Sequence, residues 1–563
     1  MDQLKEIMTK ENILDCKVEN KFVIYNEEKN IYYSREKIIY QDGREESKLR
    51  LLKDYKRPFW LTKPFYQKYK QGKEFEELSR VNVFYAPQNS LYQECWKRLG
   101  KTLTSRDREN PFLLRRPVSK NPYVYGISTH GKVYLRSEYR ELFGEISTPY
   151  VVSPLDIEWD TVKDQLCLIS FVFNNVCYTF INSEYLNKAE EQSLYNMFTN
   201  NIPTEGFTPK YSFHNNELEC IKACFAELHK LKPDIITVWN IEYDIGQILL
   251  ILERNEIDPK DIFSHPEIEP EDRYFYWKKD KEFRLSSSGV RKGSEPKDRW
   301  HILEASCYSY FLDAMSVYNY VRAGRKRVPT GYSLDSILGF ELGDKFKKLK
   351  FKHLTEEYVG LEWHRQMVRA HFKEYIIYNQ YDVIAMVILD NKTGDVSKTL
   401  PLLSDLNTFD LFPRGPASLV NEMTFFGLKN GKIMGKADMD QLKEHETLGL
   451  DNWIITLPNA NLNPEYGYNL LSDLKTNSNI RRHVFDLDQT SGYPNNIRTA
   501  NVGKDTTIRE VTGMEGKTKL EFMGENINLI FGEVNSISYC TNILNFPTIE
   551  ELDKFITEKK NNM

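Results

Sequence analysis

The segment from Tyr150 to Ile181 most constrains what this chain can fold into. Val151–Trp159 reads as a buried strand that carries Asp156 and Glu158 two residues apart. Leu166–Phe173 and Val176–Ile181 read as two further strands, joined by Asn174-Asn175, a dipeptide suited to a tight hairpin turn. A helical pattern follows over Asn216–Leu231, then a strand over Ile235–Trp239 and a helix over Ile245–Arg254. Three early strands followed by alternating helix and strand predict an α/β domain. Side chains alternate along a strand, so Asp156 and Glu158 project together while Ile157 turns into the core.

Two more acidic segments follow within the same region. Asn240 and Asp244 stand just after the Ile235–Trp239 strand, at its carboxyl end, where α/β sites lie. Tyr378 and Asp382 are four apart on one long helix expected over residues 363–394, so they share a face. If they converge, Asp156, Glu158, Asp244 and Asp382 supply hard oxygen ligands suited to Mg²⁺ or Mn²⁺. Two such ions, about 4 Å apart, stabilise both the attacking and the leaving oxygen of a phosphodiester. Asp156 is then the bridging ligand, and Tyr378 hydrogen-bonds the water.

The remaining composition sets limits. A length of 563 residues fits roughly three to four domains. Hydrophobic residues are 40% and charged residues 28%, the balance of a folded, soluble chain. A net charge of -5 excludes a simple basic nucleic-acid coat. Local basic stretches remain at Arg322–Arg327 and Lys345–Lys352. The eight cysteines include no C-x-x-C pair, and Cys220 and Cys224 read as buried thiols on a helix. Neither a signal peptide nor a membrane-spanning run is present, so a cytoplasmic protein with reduced thiols is expected, in the host cytoplasm if phage-encoded.

With these residues in view, the three segments resemble the exonuclease motifs of the proofreading 3′→5′ exonuclease domain of family B DNA polymerases. Tyr378 marks the tyrosine subtype of the four-carboxylate exonucleases. Tyr332-Ser333-Leu334-Asp335-Ser336-Ile337, after Tyr310–Ala314, is similar to the stretch before the third motif in T-even phage polymerases. The resemblance implies that Asn240 touches the primer end. The second motif departs from the usual pattern, because only Ile241 and Glu242 separate Asn240 from Tyr243-Asp244 where the family has three residues.

A second resemblance lies at Phe485–Ile497, which is similar to motif A of the same polymerases. It implies that Asp488 is a metal-binding aspartate of the polymerase site, and that Ser491 and Tyr493 bind the incoming dNTP with its Mg²⁺. Tyr493 falls on the residue that excludes ribonucleotides. Gly492 and Asn495 depart from the family's Leu and Ser. After Thr506 there is no K-x-x-x-N-S-x-Y-G helix and no Y-G-D-T-D hairpin, and Asp488 alone cannot hold a metal pair.

These expectations describe an α/β (α+β) multidomain chain: residues 1–149 a mixed α/β N-terminal domain, 150–395 the ribonuclease-H-like exonuclease, 396–480 a linker returning to the N-terminal domain, and 481–563 the first part of a polymerase palm. The resemblance implies the amino-terminal subunit of a split polymerase. Its partners are primer-template DNA, single-stranded 3′ ends, and a second chain with the fingers, thumb and rest of the palm, through which a sliding clamp would act. Val484-Phe485, Ile527–Phe531 and Ile537–Tyr539 are candidate contacts for that chain. A stand-alone 3′→5′ exonuclease and a non-catalytic replication scaffold are the alternatives.

Overall fold

The computed structural model describes residues 2–435, apart from 69–74, 203–205, 282, 286–290, 324–328, 356, 405 and 412–414. The palm-like segment, with Asp488, Ser491 and Tyr493, lies outside the described residues. The chain divides into two units, Met1–Ala437 and Asp438–Met563.

The unit is mixed α/β. An antiparallel sheet of β1 (Lys17–Asn26), β2 (Ile31–Ile39) and β3 (Glu45–Lys53) opens it. β2 runs unbroken through Ser34 and Glu36 because both are buried and hydrogen-bonded, Ser34 to Tyr139 and Glu36 to Arg50. Phe75–Glu77 forms a short strand, β4, because it pairs with β13 (Lys432–Met434) from the far end of the unit.

The central sheet has eight strands. They are β5 (Val152–Asp160), β6 (Gln165–Phe173), β7 (Val176–Asn182), β8 (Thr208–His214), β9 (Ile235–Val238), β10 (Phe275–Lys278), β11 (Ile302–Ala305) and β12 (Tyr310–Asp313), in the order β8-β7-β6-β5-β9-β12-β11-β10. β5, β6 and β7 form an antiparallel meander, and β9 and β12 lie parallel to β5 and to each other. Asn174 and Asn175 make the β6–β7 turn with φ of 47° and 63°, the positive angles that such a turn needs.

Helices cover both faces. α2 (Glu217–Leu231) and α3 (Ile241–Arg254) pack Cys224, Phe225, Ile245 and Ile248 against Leu155, Ile157 and Phe171. Each such fully buried apolar side chain contributes roughly 1.5–3 kcal/mol. Asn216 caps α2 by accepting from the Glu219 N–H at 3.0 Å. α6 (Phe372–Thr393) crosses the opposite face of β5 and closes on Gly394 at φ 64°. The single helix expected over 363–394 is therefore two, α5 (Leu361–Ala370) and α6, broken at His371 with φ −134° and ψ 45°. The break turns Trp363 of α5 back onto Tyr375 and Tyr378 of α6, with ring centroids 5.9 and 4.9 Å apart.

The run Leu403–Pro416 resembles a linker in sequence, yet Leu406 and Phe409 are buried, and Phe409 packs with Tyr150 and Tyr310. After it α7 (Gly415–Lys429) runs to β13, and its Phe425 meets Tyr134 of α1 (Gly131–Phe143) edge to face. The β1–β3 sheet joins the central one through a buried ion pair, Arg35 to Asp234 at 3.3 Å, and a shared cluster of Phe22, Tyr33, Ile235 and Leu312.

Candidate metal centre

Asp156 and Glu158 leave the same face of β5, and the register slips just after Glu158. Such bulges re-aim side chains beside sites. α6 lies over that face and delivers Tyr375, Tyr378, Asn379 and Asp382 to it. Carboxylate oxygens of Asp156, Glu158 and Asp382 come within 4.8 Å of one another, so this acidic triad can hold a metal ion. Asp244, in the first turn of α3, lies outside that spacing but faces the same charges: it bears on Asp156, Glu158 and Asp382. The helix carrying it starts at Ile241 rather than Ile245, because Asp313 accepts from the Ile241 N–H at 3.3 Å while also capping the helix after β12.

The four carboxylates are not equivalent. Asp156 is half-buried and accepts from Asn379 Nδ2 at 2.7 Å. Glu158 is buried and accepts from the Tyr375 hydroxyl on Oε2. Asp382 accepts from Lys348 Nζ on Oδ2, while its Oδ1 is buried with no partner among the described residues. Asp244 Oδ2 is likewise buried and unpartnered. Burial, reinforced by the charges of Asp244, Glu158 and Asp382, pushes Asp156 well above the usual carboxylate range. Burial and Glu158 do the same to Asp244. Asp382 rises to about 6, since burial outweighs the opposing ammonium of Lys348. Hard oxygen donors, two orphaned buried carboxylate oxygens and an excess of negative charge are the donor set a divalent cation fits.

Lys348 enters the site from a pinned loop that follows α4 (Leu334–Glu341). Asp335 accepts from the Lys348 N–H at 2.9 Å and from Lys350 Nζ at 2.7 Å. Tyr381 donates to Phe346 O at 2.9 Å and Trp363 Nε1 to Lys350 O at 3.1 Å. So held, Lys348 Nζ also donates to the Tyr378 hydroxyl at 2.9 Å. Burial disfavours its charge, but Asp382, Tyr378 and Asp156 outweigh that and keep the ammonium protonated.

Of the residues expected at this site, the structure gathers Asp156, Glu158, Tyr378 and Asp382, with Asp244 at its edge. Asn240 immediately precedes α3, about one turn before Asp244. It caps α3 in the left-handed region at φ 74° and, with Tyr243, lines a groove of about 620 Å³ with Trp277 and Arg299. Lys348, Asn379, Tyr375 and His364 are site residues that sequence reasoning missed. Lys348 was hidden among the neighbouring lysines of Lys345–Lys352, and Tyr375 and Asn379 lie inside the helix of the third motif. In the other basic stretch Arg322 is no free cation, for it is buried and paired with Glu341 and Asp395.

Among the described residues no helix is long and apolar enough to cross a membrane. No protein-family model matches the chain, and no curated protein matches it.

Proposed function

We propose that residues 150–395 are a 3′→5′ exonuclease that removes nucleotides from single-stranded DNA ends, using two Mg²⁺ ions, replaceable by Mn²⁺. The observation that carries this reading is the convergence of Asp156, Glu158 and Asp382 within 4.8 Å, from segments more than two hundred residues apart in the chain. The meander of β5–β7 followed by parallel β9 and β12 supports a ribonuclease-H-like domain beneath it.

When bound, divalent ions polarise the phosphodiester and lower the pKa of a coordinated water. The carboxylates of Asp156, Glu158, Asp244 and Asp382 would hold them. Tyr378 stays a neutral phenol because burial raises its pKa, and Lys348 fixes its hydroxyl, so it is placed to orient the attacking water. Lys348 also supplies positive charge beside the phosphate as negative charge builds in the transition state. Asn240 and Tyr243 would receive the unpaired 3′ strand in their groove.

The exonuclease is, in this reading, the proofreading half of a split family B DNA polymerase. Asp488, Ser491 and Tyr493 contribute to a synthesis site that a second chain completes. The test uses the full chain with Mg²⁺ and a 5′-labelled primer annealed to template, with and without dNTPs. Shortening from the 3′ end without extension is expected. Extension by this chain alone would overturn the split, and a chain inert both alone and with its partner would overturn the nuclease.

A further inference from the structure

We infer that Tyr375 and His364 are positioning residues that hold the Glu158 carboxylate in the orientation a divalent ion needs. The inference rests on the metal-site reading proposed above. Tyr375 is fully buried on α6, one turn before Tyr378, and donates its hydroxyl proton to Glu158 Oε2. A phenol has one proton, so its contact with His364 Nδ1 at 2.6 Å is one in which the imidazole donates. The same Nδ1 lies 3.6 Å from Glu158 Oε2. Both contacts fall on a single oxygen of Glu158. They fix the rotation of the carboxylate and leave its second oxygen to an ion.

His364 is not an ordinary core histidine. Its side chain is 37% exposed, at the rim of the site on α5. It reaches inward to a buried phenol, and the Trp363 ring packs edge-on against it at 4.8 Å and against Tyr375 at 5.9 Å. The α5–α6 break at His371 lets α5 fold back and complete this chain of contacts. A ligand carboxylate aligned by outer partners binds metal more tightly than a free one, because its orientation is set before the ion arrives.

The test is calorimetric titration of the full chain with Mn²⁺, without nucleic acid. Tyr375→Phe and His364→Ala should each weaken Mn²⁺ binding about tenfold. His364→Asn, whose amide N–H replaces Nδ1–H, should bind within about threefold of wild type. On a single-stranded substrate kcat should fall with KM unchanged, a split that mere loss of packing does not produce. Wild-type Mn²⁺ affinity in both Tyr375→Phe and His364→Ala overturns the inference and leaves the metal site standing. If the unaltered chain binds no Mn²⁺, or binds it equally well after Asp156→Ala, the metal-site reading falls and takes the inference with it. Tyr375→Phe keeps the buried ring, and His364 is at the rim, so at least one variant reports on a folded protein.

Discussion

Lys348 donates to one carboxylate oxygen of Asp382 and leaves the other buried, without a partner among the described residues. A lysine thus neutralises part of a carboxylate cluster while one oxygen stays open to a cation. Removing it exposes two consequences. Lys348→Met should destabilise the metal-free protein by about 2 kcal/mol, less than a fully buried pair because the lysine side chain is 21% exposed and Asp382 can take up a proton. It should also slow single-turnover hydrolysis by roughly 10²-fold, as for loss of one electrostatic donor. Denaturant titration and quench-flow cleavage measure the two separately.

Asp156→Ala with Glu158→Ala should abolish hydrolysis and Mn²⁺ binding. The same double variant should be at least as stable as wild type without metal, by about 1 kcal/mol, because it removes two acids from a crowded, partly dry cluster. A lower melting temperature in EDTA would show that these carboxylates serve packing rather than an ion.

Burial raises Asp382 and Asp313 from 3.8 to about 6 in the folded chain. Between those values the native state holds protons that the unfolded chain has released. Their contribution to stability is full below pH 4 and is lost as pH rises through 6. Buried His130 and His229, pushed down to about 3 and about 4, set the opposite slope over the same range, so the sign is read against Asp382→Asn: its change in denaturation midpoint from pH 5 to pH 7.5, without metal, should be more favourable than that of the wild type. Excess Mn²⁺ should raise the wild-type midpoint more at pH 7.5 than at pH 5, since the ion binds the ionised site in the native state alone. Glu11, held to about 2 by its hydrogen bond to Arg50, adds the opposite slope only in stronger acid. Midpoints by circular dichroism across this range, in EDTA and in Mn²⁺, check both signs.

Asn240 adopts φ 74° with no side-chain capping bond. Asn240→Gly should leave stability within about 0.5 kcal/mol, whereas Asn240→Ala should cost about 1 kcal/mol for the left-handed backbone. If its side chain meets the 3′ strand, both variants weaken binding of a single-stranded oligonucleotide equally. Fluorescence anisotropy in Ca²⁺ separates the two effects.

If the proposed split polymerase exists, Asp488→Ala should abolish primer extension by the reconstituted pair and spare 3′ shortening. Undiminished extension would mean that the motif at Phe485–Ile497 is misassigned.

What the sequence determined by itself was local and periodic. The Asn174-Asn175 turn, the Asn216 cap and the same-side placement of Asp156 and Glu158 follow from backbone preferences and from the two-residue repeat of a strand. The i, i+4 spacing of Tyr378 and Asp382 likewise needs only a helix. Tertiary structure decided the rest, because it depends on contacts between distant segments. Phe75–Glu77 became a strand by pairing with Lys432–Met434, and Leu406 and Phe409, in a linker-like stretch of sequence, became core. Lys348 is chemically identical to its neighbouring lysines, and only the loop pinned by Asp335, Trp363 and Tyr381 selects it for Asp382. His364 reaches Glu158 through Tyr375 because the chain breaks at His371, where close packing of α5 on α6 overrides a helical pattern that continues through the sequence.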